Sequence, residues 1–271
     1  MQPPPIVLSI AGYDPSSGAG ITADIKTASS NGCYAVTCVT ALTVQSSQGV
    51  FRVWPVDPIV ISETLAALAD DVEIKAVKIG MLGSGCIAEA VSGFLEARKL
   101  PGVVLDPVLK SSSGAALVDH SGLDLMRNQL LPLADVVTPN VAEASAITGL
   151  TAPVEGEEWR KALPRLRSLS ASLHALGARS VVITGGHLAE ANDYFSSRIS
   201  GGTQEQVFPG HRIDSRSTHG TGCAFSMALA CQLALGRGLP EAIPLAKEYV
   251  RRAIESAYVP GHGTGPLNHA V

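Results

Sequence analysis

Short runs rich in β-branched residues alternate with longer helical patterns along most of the chain, and this alternation constrains the fold most strongly. The short runs predict strands over residues 6–10, 35–42, 75–79, 102–105, 136–137 and 180–184. The longer patterns predict helices over residues 21–30, 58–68, 87–98, 122–131, 141–148 and 159–176. Because the strands are apolar nearly throughout and each is followed by a helix, they indicate an α/β fold with a mostly parallel sheet covered on both faces.

Two parts of the chain depart from this rhythm. Residues 193–199 and 206–208 are typical of a β-hairpin, and helices over residues 221–235 and 241–258 are predicted to follow it. Residues 36–53 form two consecutive strand patterns around Ser46-Ser47-Gln48-Gly49, which suits a flap or an edge pair better than another strand–helix–strand unit. The sequence contains no linker, low-complexity tract or internal repeat, so we predict a single domain over residues 1–271.

The composition argues against several classes of protein. The formal net charge of the 271 residues is −4 and no basic block exceeds Arg251-Arg252, which argues against non-specific binding to nucleic acid. No apolar run approaches the length of a membrane span, and the amino-terminal residues lack the charged and apolar regions of a signal peptide. The five cysteines include no C-x-x-C pair and suggest neither a disulfide framework nor a zinc site, so we expect a cytoplasmic protein.

A glycine-rich loop at residues 217–223 precedes a run of small apolar residues. Gly220 and Gly222 flank Thr221 and allow a sharp turn that brings consecutive N–H groups to one point. The run behind them predicts a buried helix whose N-terminus adds positive potential at that point. The loop therefore indicates an anion site with the Cys223 thiol at its mouth. The alternative is an ordinary helix cap.

Two other glycine-rich segments have different interpretations. Residues 18–23 match a dinucleotide fingerprint, but a long loop separates them from the first strand and the second strand ends in Gln45 instead of an acid, which argues against NAD. We expect this loop to let the backbone approach a small ligand, with Asp24 one helical turn inside or merely complementing the helix dipole. The segment at residues 262–265 repeats His-Gly-Thr-Gly but precedes Pro266, which favours a closing loop.

Three polar side chains at the ends of predicted strands suit a cation. Asn140 and Glu143 are three residues apart at a helix start and share one face, and Asp106 ends a buried apolar strand. A carboxylate at the end of such a strand should find a cation or hydrogen-bond donors. Because hard cations take oxygen ligands and keep part of their water shell, the set favours Mg²⁺. The alternative for Asn140 and Glu143 is a pair of helix caps.

Five motifs occur in order along the chain: Ala11-Gly12-x-Asp14-Pro15-Ser16-x-Gly18-Ala19-Gly20-x-x-Ala23-Asp24, Lys78-Ile79-Gly80-Met81-Leu82, Asp106-Pro107-Val108, Thr138-Pro139-Asn140-x-x-Glu143 and His219-Gly220-Thr221-Gly222-Cys223. Together they resemble the hydroxymethylpyrimidine/phosphomethylpyrimidine kinases of thiamin biosynthesis, which belong to the ribokinase-like superfamily. The resemblance covers essentially the whole chain. It implies a three-layer α/β/α sandwich with a small β flap from residues 36–53, and a homodimer built through that flap.

The resemblance also implies an ATP-dependent kinase that phosphorylates 4-amino-5-hydroxymethyl-2-methylpyrimidine and then its monophosphate. The contacts that it implies for the aminopyrimidine are Gly12, Asp24, Gln45, Met81 and Val108. Those implied for ATP and its phosphates are Asn140, Thr184, Thr218, Gly220, Thr221 and Gly222, and those for Mg²⁺ are Asp106 and Glu143. Gln45 would pair with the ring edge, and Cys223 would act as a thiolate base or simply donate toward phosphate.

Two departures from the family pattern bear on phosphate affinity and on the order of the two phosphorylations. Thr184 stands where many members have a lysine that can meet phosphate. Residues 109–115, Leu-Lys-Ser-Ser-Ser-Gly-Ala, replace the usual Met-Val-Ala-type run and the acidic residue after the glycine. Lys110 in this segment either supplies the missing positive charge or faces solvent.

Three other functions remain open on the sequence alone. A pyridoxal or pyridoxine kinase shares the Gly-Thr-Gly-Cys chemistry with a different ring, although Gln45 and Met81 favour the aminopyrimidine. A non-catalytic vitamin- or nucleotide-binding protein is supported only by Thr184 in place of the lysine. A cysteine hydrolase would need a base paired with Cys223, and His219, although close in sequence, lies across the glycine turn.

Overall fold

The computed structural model describes residues 3–111 and 114–271. Its strands are β1 Ile6–Tyr13, β2 Tyr34–Ser46, β3 Gly49–Pro55, β4 Ile74–Ile79, β5 Val103–Leu105, β6 Val136–Val137, β7 Ser180–Ile183, β8 Asp193–Ile199 and β9 Gly202–Phe208. Its helices are α1 Gly20–Ser30, α2 Pro58–Asp71, α3 Gly85–Arg98, α4 His120–Leu125, α5 Leu131–Leu133, α6 Val141–Thr148, α7 Trp159–Ala175, α8 Thr221–Ala234 and α9 Leu239–Glu255. A π-helical turn at Met126–Leu130 joins α4 to α5.

All of these strands belong to one sheet, whose order is β3-β2-β1-β4-β5-β6-β7-β8-β9. The strands from β2 to β7 in this order pair in parallel, whereas β3, β8 and β9 pair antiparallel at the two edges. The mostly parallel sheet that the sequence predicts is therefore confirmed, with the predicted hairpin at one edge.

Alternate residues of the central strands face opposite helical layers, because successive side chains in a strand point to opposite faces of the sheet. On β1, Leu8 packs in a core with residues of α2, α3, α6 and α7, whereas Val7 packs in a second core with residues of α1, α8 and α9. Neither side chain has any exposed surface. The same alternation recurs along β4, β5 and β7, which confirms the three-layer α/β/α sandwich.

The flap is a hairpin of β2 and β3, in which residues 41–46 pair antiparallel with residues 49–55. The pairing of β2 with β1 ends at Leu42, so the last residues of β2 extend beyond the strand that anchors it. Leu42 and Val44 are exposed, while Gln45 on the other face is partly buried. The two consecutive strands that the sequence predicts around residues 46–49 are therefore confirmed as an edge pair.

Two predicted elements differ from the structure. The helix predicted over residues 122–131 is interrupted by the π-helical turn, which precedes Pro132. Proline lacks an N–H and its ring crowds the carbonyl four residues earlier, so a regular α-helix does not continue through this position. The last strand, β9, begins at Gly202 and not at residue 206, because its first half is polar and exposed and gives no apolar signal.

Candidate active site

The order of the strands reverses at β1, and the polar loops collect at this point. Because β2 and β4 flank β1, the loops that follow these strands border a crevice at the carboxyl edge, where open α/β sheets bind ligands. Gly12, near the end of β1, lies against Met81, since a Cβ built on Gly12 would be 2.9 Å from Met81 Sδ. The structure therefore brings together two of the residues predicted to line the pyrimidine pocket.

A small apolar cluster lies beside these two residues and is separate from the two main cores. Met81 is buried there with Ala41 and Leu117, and Val108 packs against them together with two valines of the flap strand β3. The Thr40 hydroxyl donates to the Met81 carbonyl oxygen at 2.6 Å, which fixes the loop after β4 against β2. The cluster gives the crevice an apolar side of the kind that an aromatic ring requires.

Two glycine loops that are far apart in the sequence interlock next to β1. Gly220 has a φ of +84°, and a Cβ built on it would collide with the Gly18 carbonyl oxygen. A Cβ on Gly18 would collide with the His219 ring, and one on Gly20 with the Gly12 carbonyl oxygen. Glycine is needed at Gly18 and Gly220 because the two loops approach each other too closely for a side chain, and at Gly20 because the first loop folds back onto Gly12.

The N-terminus of α8 has the features expected of an anion site. Gly220 occupies the capping position, and no side chain caps this helix within the described residues. Gly222 in the first turn is exposed, and a Cβ built on it meets no described atom within 4 Å. The first N–H groups of a helix have no acceptor within the helix, so this end offers donors and positive potential to an anion. The missing side-chain cap argues against the ordinary-cap alternative.

The threonines of the same loop, Thr218 and Thr221, stand beside this site. The Thr221 hydroxyl donates to the Thr218 carbonyl oxygen at 3.2 Å, and Thr218 is exposed. Both residues therefore lie where the sequence places contacts to phosphate, and those contacts stay a prediction.

A buried cluster of charges lies beside the Cys223 loop. Lys78 Nζ on β4 is 2.9 Å and 3.1 Å from the two carboxylate oxygens of Asp24, which also accepts a hydrogen bond from Ser9. Burial opposes the charge of Lys78, but the charge of Asp24, and less strongly that of Asp106, raises its pKa, so the ammonium form is held. Asp24 has no exposed surface. In this structure it is a buried counter-ion of Lys78 and not an exposed wall of the pyrimidine pocket.

Cys223 lies in the first turn of α8 and is half-buried. Burial raises the pKa of its thiol to about 12, although the Lys78 ammonium acts in the opposite direction. The helix N-terminus therefore does not make this residue a thiolate at neutral pH in the free protein. Of the two roles considered for Cys223, donation toward phosphate fits the protonated thiol better than general-base catalysis by a preformed thiolate.

Asp106 and Glu143 form the candidate cation site. Asp106 is buried at the end of β5, where the Ser226 hydroxyl donates to it at 3.1 Å and burial raises its pKa. Glu143 and Asn140 form a reciprocal capping box on α6, with N–H to oxygen distances of 2.8 Å and 2.9 Å. Burial and the Asp106 charge raise the pKa of Glu143 to about 8.

The capping alternative for Asn140 and Glu143 is thus confirmed. Whether the same site also suits a metal ion depends on the chemistry of its side chains. Within the described residues, no group of three or more His, Cys, Asp and Glu side chains could hold a metal ion. Two interacting carboxylates nevertheless suit Mg²⁺, which commonly takes one or two protein ligands and completes its shell with water and phosphate oxygens. The residues present therefore fit a Mg²⁺ that arrives with ATP, and a cation there would relieve the repulsion between Asp106 and Glu143.

A chain of three polar side chains connects the first glycine loop to the flap. His219 Nε2 lies 2.8 Å from Asp14 Oδ2 and 3.2 Å from Gln45 Nε2. Asp14 also accepts hydrogen bonds from the N–H groups of Ser16, Gly18 and Ala19. Burial acts in the opposite direction, but the hydrogen bonds from His219 and Ser16 lower the pKa of Asp14. His219 is engaged with Asp14 and Gln45, which argues against its serving as the base of a cysteine hydrolase.

A cleft of about 310 Å³ opens between the flap and these loops. Its lining includes Gln45, Ser47, Gln48, Ser111, His219 and Thr264. Thr264 belongs to the second His-Gly-Thr-Gly segment, whose backbone N–H donates to the Ser47 carbonyl oxygen at 3.0 Å. The closing loop predicted at residues 262–265 is therefore confirmed, and it closes onto the turn of the flap.

The residues at the two departures from the family pattern lie in different surroundings. Thr184 follows β7, and its N–H donates to the Pro139 carbonyl oxygen at 3.0 Å, which places it beside Asn140. Lys110 is exposed and forms an isolated bridge with Ala116, which supports the solvent-facing alternative. Ser112 and Ser113, in the same altered segment, lie outside the described residues.

Sequence reasoning assigned no role to Lys78 or Asp14 and considered His219 only as an alternative base. The sequence did contain a signal for Lys78. It lies in the mostly apolar strand pattern of residues 74–79, and a charge on a buried strand needs a partner. The contacts of Asp14 and His219 join positions 205 residues apart and leave no local signal.

The chain is similar over most of its length to known kinases. The family description phosphomethylpyrimidine kinase matches residues 14–268. The hydroxymethylpyrimidine/phosphomethylpyrimidine kinase of Streptomyces coelicolor is 40% identical over 98% of this chain and 94% of its own length. The thiamine biosynthesis bifunctional protein of Geobacter sulfurreducens is 40% identical over 97% of this chain, which spans 52% of that protein. The ADP complex of Bacillus subtilis pyridoxal kinase has a TM-score of 0.85 and 34% identity, covering 98% of this chain and 97% of that one. On this evidence the chain belongs to the phosphomethylpyrimidine kinase family.

Proposed function

We propose that this chain transfers the γ-phosphate of ATP to 4-amino-5-hydroxymethyl-2-methylpyrimidine and then to its monophosphate, in the biosynthesis of thiamin. The observation that carries the proposal is that Gln45 of the flap contacts His219, the residue just before the Gly220 cap of α8, so that two features lie side by side. The uncapped N-terminus of α8 offers N–H donors to phosphate, and Gln45 on the flap offers an amide to a ring edge. The family match and the named kinase relatives support the same activity.

Each part of the site has a distinct task in this reaction. The N–H groups around Gly220 and Gly222 stabilise the charge of the phosphoryl group in transfer, and the Cys223 thiol donates to the same group. Gly12, Met81 and Val108 hold the ring, and Gln45 pairs with its polar edge. Asp106 and Glu143 would hold a Mg²⁺ that enters with ATP, and the ion would supply positive charge to the phosphates. Asn140, Thr184, Thr218 and Thr221 contact the nucleotide.

We also propose that the protein is one cytoplasmic kinase domain that dimerises through the flap. The continuous sheet supports a single domain. Leu42, Val44, Phe51 and Trp54 of the flap are 50% to 67% exposed, and an apolar face of this kind on an edge hairpin suits association with a second copy. Among the described residues, we find no helix with the length and apolar character to span a membrane.

A pyridoxal kinase is the second candidate, and the structural likeness to the Bacillus subtilis pyridoxal kinase favours it. An ATP-consumption assay with hydroxymethylpyrimidine, its monophosphate and pyridoxal, each at equal concentration, decides between the two. We expect turnover of both pyrimidines to exceed that of pyridoxal. Turnover of pyridoxal alone would replace the proposed substrate, and binding without turnover of any of the three would indicate a non-catalytic protein.

A further inference from the structure

The side-chain amide of Gln45 lies between two groups whose own hydrogen bonds determine how it must point. Its Oε1 position is 3.1 Å from Thr43 Oγ1, and its Nε2 position is 3.2 Å from His219 Nε2. The two ends of an amide have the same shape and opposite chemistry, because oxygen accepts hydrogen bonds and NH₂ donates them. Which end faces which neighbour therefore follows from the bonds that Thr43 and His219 already make.

Thr43 is better suited to accept from Gln45 than to donate to it. Its hydroxyl carries one hydrogen, and Thr43 Oγ1 already donates that hydrogen to the Tyr13 carbonyl oxygen at 2.9 Å. A carbonyl oxygen can only accept, so this bond is fixed in direction. The Thr43 hydroxyl therefore acts best as an acceptor toward Gln45, and it favours the NH₂ end of the amide.

His219 leads to the same orientation independently. Its Nε2 lies 2.8 Å from a carboxylate oxygen of Asp14, which can only accept, so Nε2 carries a hydrogen in either charge state of the ring. An N–H that points into this region repels the NH₂ group of Gln45 and attracts its oxygen. The Nε2–H group then donates mainly to Asp14 and more weakly to Gln45 Oε1, so its hydrogen is shared between two acceptors.

We propose that Asp14 and His219 are positioning residues that lock the Gln45 amide with Oε1 toward His219 and Nε2 toward Thr43. The locked amide keeps one N–H and one oxygen lone pair for the substrate, in a fixed order along the ring edge. The 5-hydroxymethyl group of the substrate must face the N-terminus of α8, next to His219, so the 4-amino group beside it lies on the Oε1 side of the amide. In that position the lock selects a ring whose acceptor nitrogen adjoins an amino donor, as in the 4-aminopyrimidine. It rejects the 4-oxo analogue, whose N3–H and O4 present the reverse order. This inference rests on the proposed pairing of Gln45 with the ring.

The first test compares His219→Leu with His219→Gln. Leucine removes the N–H, whereas glutamine extends an amide N–H to a similar distance and keeps a donor toward Asp14 and Gln45. The measurement is kcat/KM for hydroxymethylpyrimidine and for its 4-oxo analogue, at saturating ATP. Because an unlocked amide can rotate to suit either ring, we expect the ratio of the two kcat/KM values to fall roughly 10- to 100-fold in His219→Leu. The KM for ATP should stay unchanged, and His219→Gln should restore most of the ratio.

A background without the amide shows whether His219 acts through Gln45. In Gln45→Leu, the further change His219→Leu should leave the ratio unaltered, because there is no amide left to lock. If His219→Leu lowered the 4-amino to 4-oxo ratio equally in the wild type and in Gln45→Leu, the proposal would be overturned. A 4-amino to 4-oxo ratio in His219→Leu equal to that of the wild type would overturn it as well. Wild-type protein that turns over neither pyrimidine would instead refute the proposed function.

A spectroscopic measurement keeps the orientation testable even where a variant fails to fold. In wild-type protein labelled with ¹⁵N, the Gln45 side-chain NH₂ signal is identified by its loss in Gln45→Leu. We expect its nuclear Overhauser effects to reach the Thr43 methyl protons more strongly than the carbon-bound protons of the His219 ring. The opposite order would show the amide reversed and would overturn the assignment.

Discussion

Lys78 Nζ lies 2.9 Å from Asp24 Oδ2, and neither side chain has any exposed surface. Because burial removes water from both charged groups, each needs the opposite charge of the other as compensation. Asp106 also acts on the same ammonium through its charge. Lys78 is thus the positive centre of a group that is otherwise acidic, and its contribution to stability can be measured apart from catalysis.

We expect Lys78→Met to lower the free energy of unfolding by about 3–5 kcal/mol, because Asp24 would remain buried without its partner. The double variant Lys78→Met/Asp24→Leu should recover most of this loss. Chemical denaturation at pH 7 measures both. The control is Lys75→Met, which removes an exposed ion pair with Glu73 on the same strand and should change stability little. Equal losses for Lys75→Met and Lys78→Met would contradict the buried pair.

Gly222→Val tests the anion site. The open space at Gly222 accepts a side chain without a clash, so the fold should survive while the valine occupies the volume needed by phosphate. We expect kcat to fall by about 10²-fold or more. Gly93→Val is the matched control, because Gly93 is an exposed helical glycine with equally open surroundings among the described atoms. Wild-type turnover in a folded Gly222→Val protein would move the phosphate elsewhere.

Because Cys223→Ala removes one donor to the transferring phosphate, it should lower kcat by about 10²–10³-fold with little change in the KM for ATP. Cys223→Ser then separates the two roles of the thiol. A serine hydroxyl still donates, so a donor role predicts that much of the activity returns, and the raised pKa of Cys223 favours this outcome. Steady-state kinetics of both variants measure the difference. If Cys223→Ala turned over normally, the thiol would be reduced to a packing role.

Glu143 should make stability depend on pH. Its pKa is raised from 4.5 to about 8, so between these values the folded protein holds a proton that the unfolded chain releases. The free energy of unfolding should therefore fall as pH rises through this range and level off above it. Glu143→Gln keeps the capping box and removes the charge, so its thermal unfolding between pH 5 and 9 should give a flatter curve. Parallel curves for the two proteins would refute the raised pKa.

The sequence predicts the sheet well because the central strands are apolar on both faces and contrast with their flanks. It fails at β9, whose first half is exposed and polar, and at the π-helical turn, where one proline outweighs a good helical pattern. At the site, the loops after the strands could be predicted because parallel strands share a carboxyl edge. The locked position of Gln45 could not, because it depends on His219 and Asp14, which only tertiary folding brings beside the flap.

The closing loop has a consequence for how a working molecule is made. Residues 263–266 follow every helix and strand described above, yet Gly263 and Thr264 bond to Ser47, and Pro266 pairs with His219. A chain that leaves the ribosome amino end first completes its whole sheet before these residues are available. During synthesis, assembly of the cleft must therefore trail assembly of the scaffold, and a nascent chain with all its strands in place still lacks one side of its cleft.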